Sequence, residues 1–145
     1  MSATAVGPLS HAIFRVARLH KSIAGRLLRE LGLHPGQELV LMALWTDGPQ
    51  RQVDLVEKTD TDAPSMARSI ARLEKAGLVE RHPSPTDGRA LIVSATQASL
   101  ALRAKVGDAW TELERLTAGT LSAEQREAAL AALALLEEAL SRAER

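Results

Sequence analysis

The sequence contains no cysteine, and this absence excludes several kinds of site at once. Without thiols the chain forms no disulfide, no thiolate zinc site, no thiol redox centre and no cysteine nucleophile. Tyrosine is also absent, and Phe14, Trp45 and Trp110 are the only aromatic residues. Three rings offer almost nothing on which single-stranded bases could stack. These absences favour a cytoplasmic protein and argue against single-stranded nucleic acid as its partner.

The chain also lacks an excess of charge of either sign. Eighteen Lys and Arg residues balance eighteen Asp and Glu residues, so any contact with nucleic acid must come from a local cluster of cations. No run approaches the roughly 18 apolar residues of a membrane span, and the N-terminus lacks the pattern of a signal peptide. A soluble, unexported protein without a membrane partner is therefore expected.

Most of the 145 residues have the pattern of helices, and the length fits one domain over residues 1–145. Apolar residues at helical spacing predict a long amphipathic helix over about residues 9–31. Pro35 starts a second helix that ends at "TDGP", and "RQVDLVEK" predicts a short third one. Over about residues 96–143 two more helices are predicted, the last opening with the capping box "SAEQ". Their apolar positions are Leu102, Val106, Ala109, Leu113 and Leu116, followed by Leu130, Leu133, Leu136 and Leu140.

A fourth helix is predicted from about Ala63 to Ala76, and it separates apolar from cationic side chains. Asp60 or Asp62 can cap its start, and Gly77 ends it. Its apolar sector consists of Met66, Ile70 and Leu73, and the opposite sector of Ser65, Arg68, Arg72 and Lys75. We expect the first sector to dock on the core and the second to suit the major groove of DNA, where arginine forks read guanine edges or grip phosphates.

The stretch "VERHPSPTDGRALIVS" directly follows this helix and is the only predicted β-hairpin. A hairpin in that place is a wing, which reaches over the duplex beside the helix. Arg89 at its tip supplies a cation of the kind that narrow minor grooves attract. Asp87 is interpreted as an intramolecular partner that orients a nearby arginine, Arg81 or Arg89, and not as a contact to DNA.

These residues together resemble the MarR family of winged helix-turn-helix transcriptional regulators. The resemblance is carried by "PSMARSIARLEKAGLVERHPSPTDGRALIVSAT" and extends through "GLHPGQELVLMALWTDGP". It implies a mainly α fold, with a winged helix-turn-helix part and a two-stranded β wing over about residues 35–95. The helices over about residues 9–31 and 96–143 would form a homodimer. The chain departs from the family's pattern at Thr59, Asp60 and Thr61, where a turn glycine is usual, and at Ser99, where glycine is usual.

The resemblance also implies partners and site residues. The partner is double-stranded DNA with a pseudo-palindromic operator, and a small aromatic or phenolic effector often weakens the binding. The family's recognition positions fall on Pro64, Ser65, Arg68 and Arg72, and its wing arginine on Arg89. The effector pocket would be lined by Phe14, Arg18, Trp45 and Trp110.

A sequence-specific transcriptional regulator, acting as a homodimeric, ligand-responsive repressor, is the function that these features favour. The alternative is a helical interaction module or antirepressor that kept the fold without binding DNA. An enzyme is not expected, because the chain shows no phosphate-binding loop and no activated nucleophile. Neither a metal nor a cofactor is expected, since no two of the four histidines, His11, His20, His34 and His82, lie at a metal-ligand spacing.

Overall fold

The computed structural model describes residues 1–59 and 61–145, so the predicted cap Asp60 lies outside the described residues. The elements in chain order are α1 (Ala3–Val6), α2 (Pro8–Arg29), α3 (Gln37–Asp47), β1 (Gln50–Arg51), α4 (Gln52–Thr59), α5 (Ala63–Lys75), β2 (Val79–Pro83), β3 (Leu91–Ala95), α6 (Leu100–Ala118) and α7 (Ala123–Ala143). They group into two compact units, Met1–Trp110 and Thr111–Arg145. No helix of the described part has the length and apolar character that would let it cross a membrane.

Local signals in the sequence set most helix ends. Asp62 caps α5 by accepting a hydrogen bond from the backbone N–H of Ser65, and Gly77 follows the helix at φ +76°, as predicted. Ser122 and Gln125 form the predicted capping box of α7. Three starts differ from the prediction: α1 is not predicted from the sequence, α3 begins at Gln37, two residues after Pro35, and α6 begins at Leu100 and not at about residue 96. The reason for the second is Gly36, which caps α3 at φ +99°, a left-handed conformation that glycine adopts without a steric penalty.

The sheet has three antiparallel strands in the order β1-β3-β2, one strand more than the sequence predicts. The additional strand β1 pairs Gln50 with Val93 and Arg51 with Ile92. Gln50 is buried, and its side-chain amide donates to the backbone oxygens of Ala43 and Gly48. Its amide oxygen accepts from Lys58 Nζ at 2.6 Å. The side chain of one polar residue thus holds β1 against α3 and α4.

One hydrophobic core joins helices α2 to α6 with the sheet. Its buried members come from almost every element of the first unit: Leu28, Leu33, Val40, Leu41, Leu44, Leu55, Met66, Ile70, Leu73, Val79, Val93 and Val106. The apolar sector of α5 predicted from the sequence is confirmed, since its three residues are at most 1% exposed. Helix α5 is therefore fixed in rotation about its axis, and its other face is turned to solvent.

Two long helices keep wide apolar faces exposed in the single chain. The side chains concerned are Leu9, Ile13, Phe14, Val16 and Leu19 of α2, and Leu130, Leu133, Leu135 and Leu140 of α7. In α2 only Gly25 and Leu28 are buried, although the sequence predicts a stripe along its whole length. Apolar patches of this kind on a protein surface mark sites of association.

The core predicts a clear contrast between two neighbouring residues of α4. Leu55 is fully buried and Val53 is 53% exposed. We expect Leu55→Ala to lower the free energy of unfolding by about 2 to 5 kcal/mol, because it leaves a cavity in the core. Val53→Ala, the matched control, should change the free energy by only about 0.5 kcal/mol or less. Chemical denaturation followed by circular dichroism measures both, and equal losses would contradict this description of the core.

Candidate nucleic-acid interface

Helix α5 presents the predicted recognition residues on one exposed face. Pro64, Arg68, Arg72 and Lys75 are exposed, and Ser65 is half-buried beside them. The guanidinium of Arg72 and the ammonium of Lys75 form no ion pair among the described residues. Arg68 forms no ion pair there either, so all three cations of this face can meet an external anion.

At the start of α5, Ser65 bonds to an acid through its backbone and to a cation through its hydroxyl. The Asp62 carboxylate accepts from the Ser65 backbone N–H at 2.7 Å, and Arg68 Nη2 donates to Ser65 Oγ at 3.1 Å. Hydrogen bonds from the backbone and the side chain of Ser65 lower the pKa of Asp62, and the charge of Arg68 lowers it further. The carboxyl is therefore held in its ionised form at the N-terminus of the helix, where the helix dipole also favours a negative charge.

The wing consists of β2, β3 and the tip of residues 84–90 between them. The two strands pair from Val79 with Ala95 to Pro83 with Leu91. In the tip, Ser84 Oγ accepts from the backbone N–H groups of Thr86 and Asp87, and the Asp87 carboxylate accepts from the backbone N–H of Arg89 at 3.1 Å. Such side-chain to backbone bonds are typical of tight turns. They fix the backbone on which the exposed side chain of Arg89 stands.

An ion pair ties the wing to helix α5. Arg81 donates from Nη2 and Nε to the two carboxylate oxygens of Glu74, at 2.8 and 3.2 Å. The hydrogen bond from Arg81 is the largest effect and lowers the pKa of Glu74. Desolvation opposes it, and the charge of Arg81 lowers the pKa further. The sequence interpretation, in which Asp87 could orient the Arg81 guanidinium, is thus corrected: Glu74 is the partner of Arg81, and Asp87 bonds to the backbone of Arg89.

Sequence reasoning did not identify Glu74 and Gln50 as residues that hold the interface together. Glu74 and Arg81 both lie within the quoted motif "LEKAGLVER", seven residues apart. Nothing in their spacing shows that they meet, because the turn at Gly77 and the path of β2 must be known first. The buried amide of Gln50 likewise depends on a strand of only two residues.

The four residues predicted for an effector pocket lie in different surroundings. Phe14 is 76% exposed, Arg18 is exposed and Trp110 is 37% exposed. Trp45 is half-buried, and its indole N–H donates to Ser99 Oγ at 3.1 Å, so the serine found in place of glycine is used as a hydrogen-bond partner. A cavity of about 260 Å³ in the same unit has other walls, among them Pro35, Leu39, Thr61, Ser65 and Met66. No cluster of three or more His, Cys, Asp or Glu residues that could hold a metal is found in the described part of the chain.

Comparison with known proteins relates the chain to transcriptional regulators. Residues 33–91 match the model of the MarR family. YwoH of Bacillus subtilis, named as an uncharacterized HTH-type transcriptional regulator, is 34% identical over 90 residues, which cover 62% of this chain and 66% of YwoH. The HTH-type transcriptional repressor NicR of Pseudomonas putida is 28% identical over 122 residues, which cover 84% of this chain and 77% of NicR.

A solved structure extends the comparison to the fold of nearly the whole chain. BpsR of Bordetella bronchiseptica superimposes with a TM-score of 0.83 at 26% identity, over 89% of this chain and 92% of BpsR. That structure concerns the mechanism by which 6-hydroxynicotinic acid regulates the DNA binding of BpsR. The helical fold and its winged sheet are therefore those of a known class of regulator.

The ion pair between wing and helix predicts a dependence of stability on pH. The folded pKa of Glu74 lies below its ordinary value of 4.5, so the pair stabilises the fold above that value and ceases to do so as the pH falls through the folded pKa. We expect Glu74→Gln to lower the melting temperature at neutral pH and to converge with the wild type in acid. Glu80→Gln is the matched control, because Glu80 is exposed on β2 and forms no ion pair in the part of the chain described. A melting-temperature difference that stays constant with pH would contradict the role of this pair.

Proposed function

We propose that this chain, which belongs to the MarR family of winged helix-turn-helix transcriptional regulators, binds a specific sequence of double-stranded DNA through helix α5 and the wing. The observation that carries the proposal is the division of α5 into two faces. Met66, Ile70 and Leu73 are buried in the core, while Arg68 and Arg72 point to solvent. A helix so oriented, with a wing beside it, can enter the major groove with its cationic face.

The residues of the interface then take distinct roles. Pro64 and Ser65 near the start of α5 are small enough to let the backbone approach the base edges closely. Arg68 reads a base edge, because an arginine fork pairs bidentately with guanine. Arg72 and Lys75, further along the exposed face, hold phosphates.

The wing supplies the remaining contact. Arg89 stands at its tip and binds in the minor groove or on the adjacent backbone. Asp87 shapes the turn that carries Arg89 through its 3.1 Å bond to the Arg89 N–H. Arg81 orients the wing through Glu74, and it does so without touching DNA.

A second copy of the chain completes the regulator. The exposed apolar faces of α2 and α7 support a homodimer in which residues 9–31 and 96–143 of the two copies associate. Residues 35–95 form the DNA-binding part, and all three segments belong to one domain in this proposal. Two recognition helices about 34 to 36 Å apart would enter successive major grooves of a pseudo-palindromic operator. Each half-site is then read by one protomer.

A small aromatic or phenolic effector regulates this binding in our proposal. The support is BpsR, whose DNA binding is regulated by 6-hydroxynicotinic acid. Phe14, Arg18, Trp45 and Trp110 are the residues proposed to contact the effector at the dimer junction. The dimer would have one geometry that fits the operator and another that does not. The effector can shift the population between them only if it binds the two geometries with different affinities.

The regulator acts in the cytoplasm by binding and not by catalysis, and repression is the proposed outcome. The support is its relatives, which are transcriptional regulators, NicR being a repressor by name. A repressor needs only to occupy its operator. The exposed cations of α5 and the wing are therefore the groups that this function requires, and no catalytic group is needed.

The role of Arg68 in reading DNA can be tested by one substitution. Arg68→Ala should cost about 1 to 3 kcal/mol of binding free energy on the operator and relax the preference at one position of each half-site. Arg103→Ala is the matched control, since Arg103 is an exposed arginine of α6 that belongs neither to α5 nor to the wing. Titration of a labelled operator measures both variants. Equal weakening on all sequences would make Arg68 a phosphate contact, and no binding by the wild type would favour an interaction module.

The dimer predicts different outcomes for two leucines. Leu113 is buried within the single chain, whereas Leu133 is 59% exposed. Leu133→Arg should therefore leave a folded monomer, and Leu113→Arg should destabilise the fold itself. Glu127→Arg is the control, because Glu127 is an exposed residue of α7 that already carries a charge and forms no ion pair among the described residues. Sedimentation together with circular dichroism distinguishes the outcomes, and a tight dimer of Leu133→Arg would contradict the proposed interface.

A further inference from the structure

We infer that Asp62 and Ser65 are positioning residues for Arg68, and that they set the base preference of helix α5 without Asp62 touching DNA. This inference rests on the proposed function, in which Arg68 reads a base edge. It differs from the expectation for Ser65 drawn from the sequence, which treats that hydroxyl as a direct contact to DNA. Ser65 links the other two residues, because its backbone N–H donates to the Asp62 carboxylate and its hydroxyl accepts from the Arg68 guanidinium.

Two hydrogen bonds meet at Ser65, one on its backbone and one on its side chain. Asp62 Oδ1 accepts from the Ser65 N–H at 2.7 Å, which holds Ser65 in the first turn of α5. Ser65 Oγ accepts from Arg68 Nη2 at 3.1 Å. Residues three apart on a helix lie on the same face, so this bond forms without distortion of the helix. The guanidinium of Arg68 is thereby drawn toward the start of α5, the end that enters a major groove first.

This restraint leaves the reading function of Arg68 intact. A guanidinium has five N–H donors, and one of them is used on Ser65, so four remain for a base edge. An arginine side chain that is free in solution loses considerable rotamer freedom when it becomes fixed on a base. The bond to Ser65 anchors one nitrogen of Arg68 before DNA binds, so less rotamer freedom is lost on binding. This gain applies only to a base whose edge fits the anchored position of the guanidinium. The benefit therefore appears as specificity and not as general affinity.

Arg68 is unlike the other two cations of the face. Arg68 donates a hydrogen bond to Ser65. Arg72 and Lys75 form neither an ion pair nor a side-chain hydrogen bond within the described residues, so they suit phosphates, whose position varies little with sequence. Asp62 also places a negative charge near the DNA, and that charge repels phosphates of every sequence alike. The charge of Asp62 thus weakens non-specific binding to DNA and increases the discrimination between the operator and other sequences. Asparagine also caps helices well, so Asp62→Asn removes the charge and keeps the cap.

This difference provides the test. In the full-length protein we would compare Asp62→Asn, which keeps the cap, and Ser65→Ala with the wild type. The measured quantities are the affinities for an operator recovered by selection of bound fragments and for a scrambled duplex. We expect both variants to lower the ratio of specific to non-specific affinity by about fivefold or more, the lower end for a base contact. Asp62→Asn should in addition bind the scramble more tightly. Its melting temperature should fall only slightly, because asparagine keeps the cap but loses the charge that the helix N-terminus favours.

Combination with Arg68→Ala separates positioning from direct contact. In that background Ser65→Ala should have no further effect on the affinity ratio, because the residue through which it acts is gone. A further loss would show that Ser65 contacts DNA itself and would overturn the inference for that residue. An unchanged ratio for Asp62→Asn, while the wild type is specific and Arg68→Ala is impaired, would make Asp62 a helix cap alone. A wild type that prefers no sequence would overturn the proposed function and this inference with it.

Discussion

The burial of Met66, Ile70 and Leu73 is the constraint on which the rest of the interface depends. These three side chains turn one face of α5 into the core, and the helical repeat then places Arg68, Arg72 and Lys75 on the opposite side. Neither the wing nor the cap could compensate for a different rotation of this helix. The identity of the cations matters for recognition only because packing has already decided where they point.

Acidic residues arrange the cations of the proposed interface, so a chain of zero net charge can still carry a surface suited to DNA. Asp62 is linked to Arg68 through Ser65, Glu74 pairs with Arg81, and Asp87 holds the backbone at Arg89. A strongly basic surface would bind any duplex through its phosphates. Pairing some cations internally lowers that general attraction and leaves a small number of oriented groups to recognise a sequence.

Much of this arrangement could be predicted from the sequence, because its signals are local. The two faces of α5, the cap at Asp62, the stop at Gly77 and the β2–β3 hairpin follow from periodicity and turn residues. Strand β1 could not be predicted, since two residues carry no pattern and owe their conformation to pairing with β3. The bond between Glu74 and Arg81 was equally hidden, because it depends on where the chain goes after the turn.

The apolar faces of α2 and α7 show another structural feature that the spacing of apolar residues does not predict. A stripe of leucines predicts that a helix face is covered, but it does not tell whether the cover belongs to the same chain. The exposure of Phe14 and Leu133 shows that a single chain leaves these faces open, which fits a regulator that works as two copies.

The most direct test of the central claim is a protection footprint of the purified wild-type protein on the intergenic DNA beside its own gene, recorded at several salt concentrations against scrambled competitor. Our account predicts two protected half-sites related by a dyad, with centres about 10 bp or a multiple of one turn apart, and an affinity that falls steeply with salt. If the protein protected no sequence in preference to the scramble, there or in fragments selected from the whole genome, the account of α5 and the wing as a DNA-reading surface would be contradicted.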